Sequence, residues 1–251
     1  MKFVFSAVIA ALLLSPTTHA SEAKILDAER EKIEAVIQNY LMEKPEIIAL
    51  AIQELQRRQN LAQMLPAIKM YREYLENEQN QPVLGNPDGD VTIVEFFDYR
   101  CGYCRRHFQE VMRLVKDDGN VKWVLKHFPI LDRPGEPALS RKAALAAIAA
   151  GNQGKFAEFH IAMMTGAGAI TEEYIFNTAR SVGLDIEKLK TDMANKLTDK
   201  VINNALSIGQ DIGFSGTPGY VIGNDVVLGA EGYERLKSAV ARARADNKTK
   251  E

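Results

Sequence analysis

The chain has 251 residues, a formal charge of −2 from 31 basic and 33 acidic side chains, and only two cysteines. Its composition, 46% hydrophobic and 25% charged with no biased tract, excludes disordered, collagen-like and disulfide-scaffold proteins. The balanced charge points to neither nucleic acid nor an anionic membrane as a partner. We therefore expect an ordinary globular core, and the close pair Cys101 and Cys104 is the feature that needs an explanation.

The first 20 residues have the pattern of a secretory signal peptide. Lys2 precedes a short apolar run, and small residues up to Ala20 offer a cleavage site. The alternative, an uncleaved anchor, is disfavoured because the run is shorter than the roughly 20 residues that span a bilayer. The sequence therefore predicts export, with residues 1–20 as the signal peptide and the periplasm as the location.

Residues 21–80 have the pattern of a helical arm. Apolar side chains recur at spacings of three and four on both sides of a helix boundary that Pro45 indicates. They are Ile33, Val36, Ile37, Tyr40, Leu41, Ile47, Ile48, Ala51, Ile52 and Leu55. A further series has the rhythm of a coiled-coil seam and comprises Leu61, Met64, Ile68, Tyr71 and Leu75. Pro66 interrupts this series, so we expect it to kink or split the helix.

Two interpretations of this region are open. Residues 25–78 contain no glycine and carry a narrow apolar stripe, which favours an extended arm that joins copies of the chain into a homo-oligomer. The alternative is an amphipathic segment that folds onto the body of its own chain. Two heptads are fewer than the three or four that make a coiled-coil prediction secure.

The remainder of the chain alternates strand and helix patterns. Val91–Phe97 is an apolar, β-branched run typical of a buried strand, and residues 121–128 form a second one after an amphipathic helix. This order predicts a parallel pair in an α/β sheet with covered faces. Residues from about 135 to 212 are helical, with Thr171 and Thr198 as predicted caps.

The last segment has the pattern of a hairpin followed by a helix. Gly219–Ile222 and residues 226–228 flank a Gly-Asn-Asp turn, and residues 233–244 are amphipathic. The predicted order is therefore strand-helix-strand, a helical insertion, then strand-strand-helix.

The cysteine motif Cys101-Gly102-Tyr103-Cys104 lies where the first strand ends and a helix begins. A helix N-terminus presents unpaired amide hydrogens and partial positive charge, which stabilise a thiolate and lower the pKa of Cys101. Cys101 is then the exposed nucleophile, and Cys104, one turn further in, is the thiol that resolves a mixed disulfide. The pair closes almost no loop, so its value to an exported protein is chemical rather than structural.

Metal sites are the competing interpretation of the cysteine pair. Structural zinc needs about four ligands and only His107 lies near the motif. Haem attachment would require histidine where the chain has Arg105. Binding of Cu(I) by two thiolates remains open because that soft ion accepts few ligands.

Two longer motifs carry a resemblance to a known family. The segment Phe96-Phe97-Asp98-Tyr99-Arg100-Cys101-Gly102-Tyr103-Cys104, the later Gly216-Thr217-Pro218-Gly219-Tyr220 and the helices between them resemble the DsbA family of thioredoxin-fold proteins. The helical arm, the Cys-Gly-Tyr-Cys motif and the threonine before proline are most similar to ScsC-like proteins of the suppressor-of-copper-sensitivity group. The resemblance implies an α/β thioredoxin fold with a helical insertion, a dithiol as the working group and no cofactor.

The resemblance also assigns roles to three further residues. Pro218 matches the family's cis-proline, whose loop, with Thr217, faces the dithiol and pairs with an extended substrate peptide. Glu95 matches a buried acid beneath the active site, which implies a proton relay for Cys104. Without the resemblance, Glu95 would be interpreted as a solvated glutamate at the end of a strand, although its apolar neighbours favour burial.

The dipeptide between the cysteines bears on the direction of the reaction. Strongly oxidising DsbA proteins have histidine before the second cysteine, whereas this chain has the uncharged Tyr103. Gly102-Tyr103 and Thr217 resemble the disulfide isomerase DsbC. The resemblance therefore favours isomerase or reductase work over strong oxidase activity.

Together these observations predict three segments: residues 1–20 as the signal peptide, 21–80 as the arm and 81–246 as a DsbA-like thioredoxin domain. The predicted function is a periplasmic thiol-disulfide oxidoreductase for cysteines of exported proteins. Its membrane redox partner would be either DsbB-like or DsbD/ScsB-like. The alternatives are a Cu(I)-binding copper-tolerance protein and an assembly protein that works through its arm.

Overall fold

The computed structural model describes residues 27–78 and 81–249. The predicted signal peptide, residues 1–20, lies outside the described residues. The chain divides into two compact units after Leu55, and the second unit, from Gln56 onward, contains the whole sheet. The division falls within the predicted arm, so the later part of that arm belongs to the same compact unit as the sheet.

Three helices form the N-terminal region: α1 (Asp27–Glu43), α2 (Glu46–Met70) and α3 (Arg72–Asn77). The boundary predicted around Pro45 is confirmed because α1 ends just before it and α2 begins just after it. Pro66 does not split its helix, since α2 continues through it to Met70. Proline removes one helical hydrogen bond, but the flanking Met64 and Ile68 are buried, and their packing offsets that loss.

A five-stranded mixed sheet forms the centre of the second unit. Its strands lie in the order β1-β3-β2-β4-β5. Their bounds are β1 (Val83–Gly85), β2 (Val91–Phe97), β3 (Val121–His127), β4 (Gly219–Ile222) and β5 (Asp225–Leu228). β2 and β3 are parallel, as the sequence predicts, and the other neighbouring pairs are antiparallel. The edge strand β1 was not predicted, because three residues in a turn-rich segment are too few for an alternating pattern.

Helices cover the sheet and form the insertion. They are α4 (Gly102–Asp118), α5 (Leu139–Gly151), α6 (Phe156–Thr165), α7 (Glu172–Ser181), α8 (Ile186–Met193), α9 (Lys196–Ile212) and α10 (Tyr233–Lys248). The helical insertion between β3 and β4 is therefore confirmed. Thr171 caps α7 as predicted, because its side chain accepts a hydrogen bond from the Tyr174 amide. The predicted cap at Thr198 is wrong: Asn195 caps α9, and the Thr198 hydroxyl donates to the Asp192 carbonyl instead.

The two faces of the sheet bury different clusters of side chains, because alternate residues of a strand point to opposite faces. One face includes Ile93, Phe97 and Trp123, which pack with α4, α10 and the helical insertion. The other face includes Val94, Phe96, Val124 and Val221. The second cluster also contains Met64, Ile68 and Leu75 from α2 and α3. For these three residues, the alternative of packing onto the chain's own body is correct.

Candidate active site

Cys101 occupies the position that caps the N-terminus of α4. Its sulfur accepts a hydrogen bond from the Cys104 amide at 3.4 Å, and its own amide donates to the Asp98 carbonyl at 3.0 Å. The preceding strand β2 is fully embedded in the sheet, so it delivers Cys101 to the helix end in a defined position. Cys101 retains 6% of its exposure, whereas Cys104 retains none. Of the two sulfurs, therefore, the one at the helix end reaches the surface.

The surroundings of Cys101 favour its thiolate. A hydrogen bond from the Cys104 thiol is the largest cause, and it lowers the pKa of Cys101 to about 5. The amides of Cys104 and Tyr103 act in the same direction, against the desolvation of the sulfur. These amides are the donors that a helix N-terminus supplies to an anion. Cys101 is thus ionised at neutral pH.

Cys104 has the opposite surroundings. Burial raises its pKa well above the ordinary value, and the hydrogen bond to Cys101 and the nearby Glu95 carboxyl raise it further. Both cysteines are free thiols in the structure. A single pair therefore combines a ready nucleophile with a thiol that must first lose its proton to a base.

The loop before β4 faces the dithiol. The peptide bond between Thr217 and Pro218 is cis, as the resemblance implies. The Cys101 sulfur lies 3.2 Å from the Thr217 carbonyl oxygen, to which the thiol form donates. Tertiary structure thus brings together two motifs that are more than a hundred residues apart in sequence.

The dipeptide between the cysteines forms the first turn of α4. Gly102 begins the helix, and a Cβ at this position would come within 3.3 Å of the Arg106 side chain. Tyr103 is 62% exposed, and the Arg106 guanidinium lies 4.6 Å from the centre of its ring. Tyr103 therefore contributes to the outer surface beside the dithiol.

Glu95 is buried in β2 with 1% exposure, so the interpretation as a solvated strand-end residue is wrong. Its carboxyl accepts hydrogen bonds from Trp123 Nε1 at 3.0 Å and from the Tyr220 hydroxyl at 3.3 Å. Desolvation outweighs both hydrogen bonds and raises the pKa of Glu95 to about 8. This carboxyl can therefore gain and lose a proton near neutral pH.

Sequence reasoning missed the second layer of the site, His107 and Tyr220. The Tyr220 hydroxyl lies 2.8 Å from His107 Nδ1, and His107 Nε2 accepts from the Gly232 amide at 3.1 Å. His107 follows Cys104 by three residues on the apolar face of α4, and a polar residue on such a face is the signal that could have identified it. Tyr220 sits opposite Glu95 in the antiparallel pair of β2 and β4, which sequence alone does not reveal.

Asp98 is a further buried carboxyl that sequence reasoning did not single out. It accepts hydrogen bonds from the amides of Arg100 at 2.8 Å and Leu131 at 3.1 Å. Desolvation raises the pKa of Asp98 to about 6. Its contacts tie the segment that leads into Cys101 to the loop after β3, so it supports the position of the nucleophile.

Residues 27–78 and 81–249 contain no group of three or more His, Cys, Asp or Glu side chains that could hold a metal ion. His107 contacts Tyr220 and Gly232 rather than the cysteines. Cu(I) held by the two thiolates alone needs no third ligand.

The dithiol at a helix end and the facing cis-proline loop occur within one stretch of chain, together with most of the sheet. Residues 92–241, more than half of the sequence, match the DSBA-like thioredoxin domain. The chain belongs to this family. The DSBA-like domain therefore covers the dithiol, Glu95 and the cis-proline loop together.

Solved structures and a curated protein resemble the DSBA-like chain over most of its length. A thioredoxin-like oxidoreductase from Silicibacter pomeroyi is 45% identical, with a TM-score of 0.66, and covers 69% of this chain and 98% of its own. Proteus mirabilis ScsC in a transitional conformation is 24% identical, with a TM-score of 0.64, over 90% of this chain and 100% of its own, which shows the shared fold. A putative protein-disulfide oxidoreductase from Rickettsia conorii is 25% identical over 195 residues, 74% of this chain and 68% of that protein.

Another group of curated relatives is much longer than this DSBA-like chain. The Na⁺/H⁺ antiporter NhaA 1 of Salinispora arenicola is 29% identical over 167 residues, which are 64% of this chain and 24% of the antiporter. The chain thus spans about a quarter of the length of these relatives. Within residues 27–78 and 81–249, no helix combines the length and apolar character needed to cross a membrane.

Proposed function

We propose that this protein is a periplasmic thiol-disulfide oxidoreductase that exchanges its dithiol with cysteines of exported proteins. The observation that carries the proposal is the asymmetry of the pair. Cys101 has a pKa lowered to about 5 at a helix N-terminus, and Cys104 is fully buried with a raised pKa. The thiolate is the species that attacks a disulfide, so such a pair has a defined nucleophile and a defined resolving thiol.

The exchange proceeds in two balanced steps. The Cys101 thiolate attacks one sulfur of a substrate disulfide, forms a mixed disulfide, and expels the other substrate sulfur as a thiolate. Cys104 then gives its proton to the Glu95 carboxylate and attacks Cys101 Sγ, so the second substrate sulfur leaves and the Cys101–Cys104 disulfide forms. Two electrons pass from the dithiol to the substrate. The reverse sequence oxidises a substrate dithiol.

Thr217 and Pro218 are proposed to hold the substrate chain. Their loop lies against the Cys101 sulfur, with the Thr217 carbonyl 3.2 Å away. An extended peptide that pairs with this backbone would bring its own sulfur to Cys101. Gly102 leaves room on the same surface, and the exposed Tyr103 offers an aromatic contact to the peptide.

Isomerase or reductase work is the proposed direction. The Cys101 pKa of about 5 lies between values of about 7 for thioredoxin and about 3.5 for DsbA. We therefore expect a reduction potential between their values, about −270 and −120 mV. Tyr103 supports this because its side chain carries no positive charge to stabilise the thiolate. The membrane partner is proposed to be DsbD/ScsB-like for this direction and DsbB-like for the oxidising one.

The N-terminal region is proposed to join copies of the chain through the part of residues 25–78 whose apolar side chains are exposed. Large apolar side chains on α1 and the first part of α2 are exposed, and they include Ile33, Val36, Ile37, Tyr40, Ile48, Ile52 and Leu55. A second copy of the same helices could cover this stripe. Several dithiols in one assembly would favour isomerisation, because one can attack a wrong disulfide while another resolves it.

The function is tested with the purified chain and its single-cysteine variants. We expect the wild type to exchange with oxidised glutathione and to reactivate scrambled ribonuclease. Cys101→Ser should lose both activities, and Cys104→Ser should accumulate mixed disulfide. Tight Cu(I) binding without any exchange would contradict the proposal in favour of the copper-binding alternative.

Direction and assembly need separate measurements. Thiol trapping in cells should find the pair mostly reduced, and a mostly oxidised pair would contradict the isomerase direction. Light scattering should find an oligomer, and a monomer at micromolar concentration would contradict the proposed assembly.

A further inference from the structure

Glu95 has to exchange its proton with solvent although it is buried. Its exposure is 1%, and its two oxygens contact Trp123 Nε1 and the Tyr220 hydroxyl among the described residues. An indole N–H is donor only and does not accept a proton in return. A phenol hydroxyl both donates and accepts. Of these two contacts, only Tyr220 can pass a proton on.

The hydrogen bonds beyond Tyr220 have a direction that the backbone determines. The Gly232 amide is a fixed donor, so His107 Nε2, 3.1 Å away, is the acceptor in the neutral ring. Nδ1 then carries the hydrogen and donates to the Tyr220 oxygen at 2.8 Å. Tyr220 in turn donates to Glu95 Oε1 at 3.3 Å. The hydrogen bonds from Gly232 to Glu95 thus form a continuous series, in which His107 and Tyr220 each accept one hydrogen bond and donate one.

The outer end of this series of hydrogen bonds, at His107, lies near the surface. His107 Nε2 is 3.5 Å from Glu110 Oε2, and the Glu110 side chain is 48% exposed while that of His107 is 2% exposed. Glu231, in the segment before α10, also favours protonation of His107. Two carboxylates on different elements therefore stand at the outer end, where a proton can enter from water.

We propose that Tyr220 and His107 form a proton path between Glu95 and the surface at Glu110. The path is separate from the opening at Cys101, which a bound substrate would cover. It deepens the proposed function, because in the reverse sequence Glu95 gives its proton to the leaving Cys104 sulfur and needs a new one while the mixed disulfide is closed off. Tyr220 and His107 are positioning residues here, since they act through Glu95.

The transfer is balanced at every atom. Inward, His107 gains a proton at Nε2, gives its Nδ1 proton to Tyr220, and Tyr220 gives its own to the Glu95 carboxylate. Outward, the same steps run in reverse from the form in which Nε2 carries the hydrogen: Nε2 releases its proton to Glu110 or water, Nδ1 takes one from Tyr220, and Tyr220 takes one from protonated Glu95. No bond between heavy atoms changes. Burial lowers the pKa of His107, so the ring is neutral before and after each transfer.

The single tryptophan provides a direct reporter, because Trp123 donates to the carboxyl whose charge changes. We would jump the pH from about 9 to about 6 and follow Trp123 emission in a stopped-flow instrument. The full chain is used with both cysteines replaced by serine, so no thiol titrates and no redox activity is needed. The test variants are Tyr220→Phe, which removes the link, and His107→Asn, which keeps a donor to Tyr220 but does not titrate.

Tyr99→Phe is the matched control. The Tyr99 hydroxyl also lies 2.8 Å from a buried histidine nitrogen, His160 Nδ1, and Tyr99 makes no hydrogen bond to Glu95. The control therefore removes the same group from an equivalent pair in the same domain. We expect wild type and Tyr99→Phe to relax at one rate. Tyr220→Phe and His107→Asn should be at least about tenfold slower.

Two results would overturn the path. One is equal rates in all four proteins, and the other is an emission that never changes across this pH range, since Glu95 would then keep its proton state. The proposed function is judged separately by exchange with oxidised glutathione. If the wild type does not exchange with glutathione, the proposed function is wrong and the proton path can still be correct. If the wild type exchanges but Tyr220→Phe relaxes at the wild-type rate, the proposed function stands and the proton path is wrong.

Discussion

The two faces of the central sheet arise from the same strands and have different chemistry. On one face, Val94, Phe96 and Val124 pack with Met64 and Ile68 of α2 in a mainly apolar cluster. This packing follows the ordinary rule that burial of apolar surface stabilises a fold. The face contributes stability and contains no part of the candidate site.

The opposite face buries a polar network within its apolar cluster. Glu95 lies next to Val94 and Phe96 in sequence but points the other way, toward Trp123, Tyr220 and, through Tyr220, His107. A carboxyl in this position costs stability when it ionises, because it loses its hydration. The polar network on one face costs folding stability, and the apolar packing on the other face offsets this cost.

Removal of packing from the apolar face should have the largest effect on stability. Ile68 has no exposed surface, and we expect Ile68→Ala to lower the free energy of unfolding by about 2–5 kcal/mol. Urea denaturation measures this loss, and titration of Cys101 should find its pKa unchanged. The control is Ile37→Ala, whose side chain is 52% exposed and whose loss should stay within about 0.5 kcal/mol. Equal losses at the two positions would contradict the distinction between buried and exposed helix faces.

Replacement of Glu95, the buried carboxyl of the polar face, should change the free energy of unfolding by an amount that depends on pH. Glu95 has a folded pKa raised to about 8 above an ordinary 4.5, so it contributes stability at low pH that is lost as pH rises toward 8. Between pH 5.5 and 7.5, wild type should lose about 2 kcal/mol relative to Glu95→Gln. Urea denaturation of both proteins at several pH values measures the difference. Parallel pH profiles would contradict the raised pKa.

The redox state of the dithiol should produce a pH effect of similar size and opposite sign. The folded pKa of Cys101 is lowered to about 5, so the reduced protein gains stability above the unfolded thiol pKa and loses it as pH falls toward 5. We expect the stability of the reduced form relative to the disulfide form to rise by about 2 kcal/mol from pH 6 to pH 8. Denaturation of each form with its redox state held constant checks this, and a flat difference would contradict it.

We expect the smallest effect from a change at Tyr103, on the surface beside the dithiol. Tyr103→His places a group that can be positive next to Cys101, and we expect the Cys101 pKa to fall by up to about one unit. The reduction potential should rise by about 30 mV per unit, measured by equilibration with glutathione. Tyr103→Phe is the control because it adds no charge. A shift in the control as large as in Tyr103→His would contradict an electrostatic cause.

Elements with a long, regular pattern could be predicted from the sequence. β2 was predicted at the residues where it occurs, since a seven-residue apolar run permits little else, and the helix after Cys101 follows from its apolar spacing. The cap at Thr198 was predicted wrongly, because Asn195 offers a competing side chain three residues earlier. Local signals therefore locate elements well and choose poorly between neighbouring caps.

The N-terminal region illustrates what one periodic pattern leaves open. The apolar series around Ile37 and the series around Ile68 have similar spacing, yet the first is exposed and the second is buried against the sheet. Spacing defines an apolar face but not the surface that covers it. For this reason the sequence left the two interpretations of the arm open.

By itself, the sequence determined the dithiol, its place at a strand-to-helix junction and the order of the main elements. Those features depend on neighbours along the chain or on short sequence motifs. The role of Glu95 as a proton relay came only from the resemblance to the DsbA family and stays a prediction. Only the tertiary structure decided that Glu95 is buried and which groups it contacts. Its partners Trp123, Tyr220 and His107 come from three separate elements, and strand pairing and helix packing, rather than spacing in the chain, place them around one carboxyl.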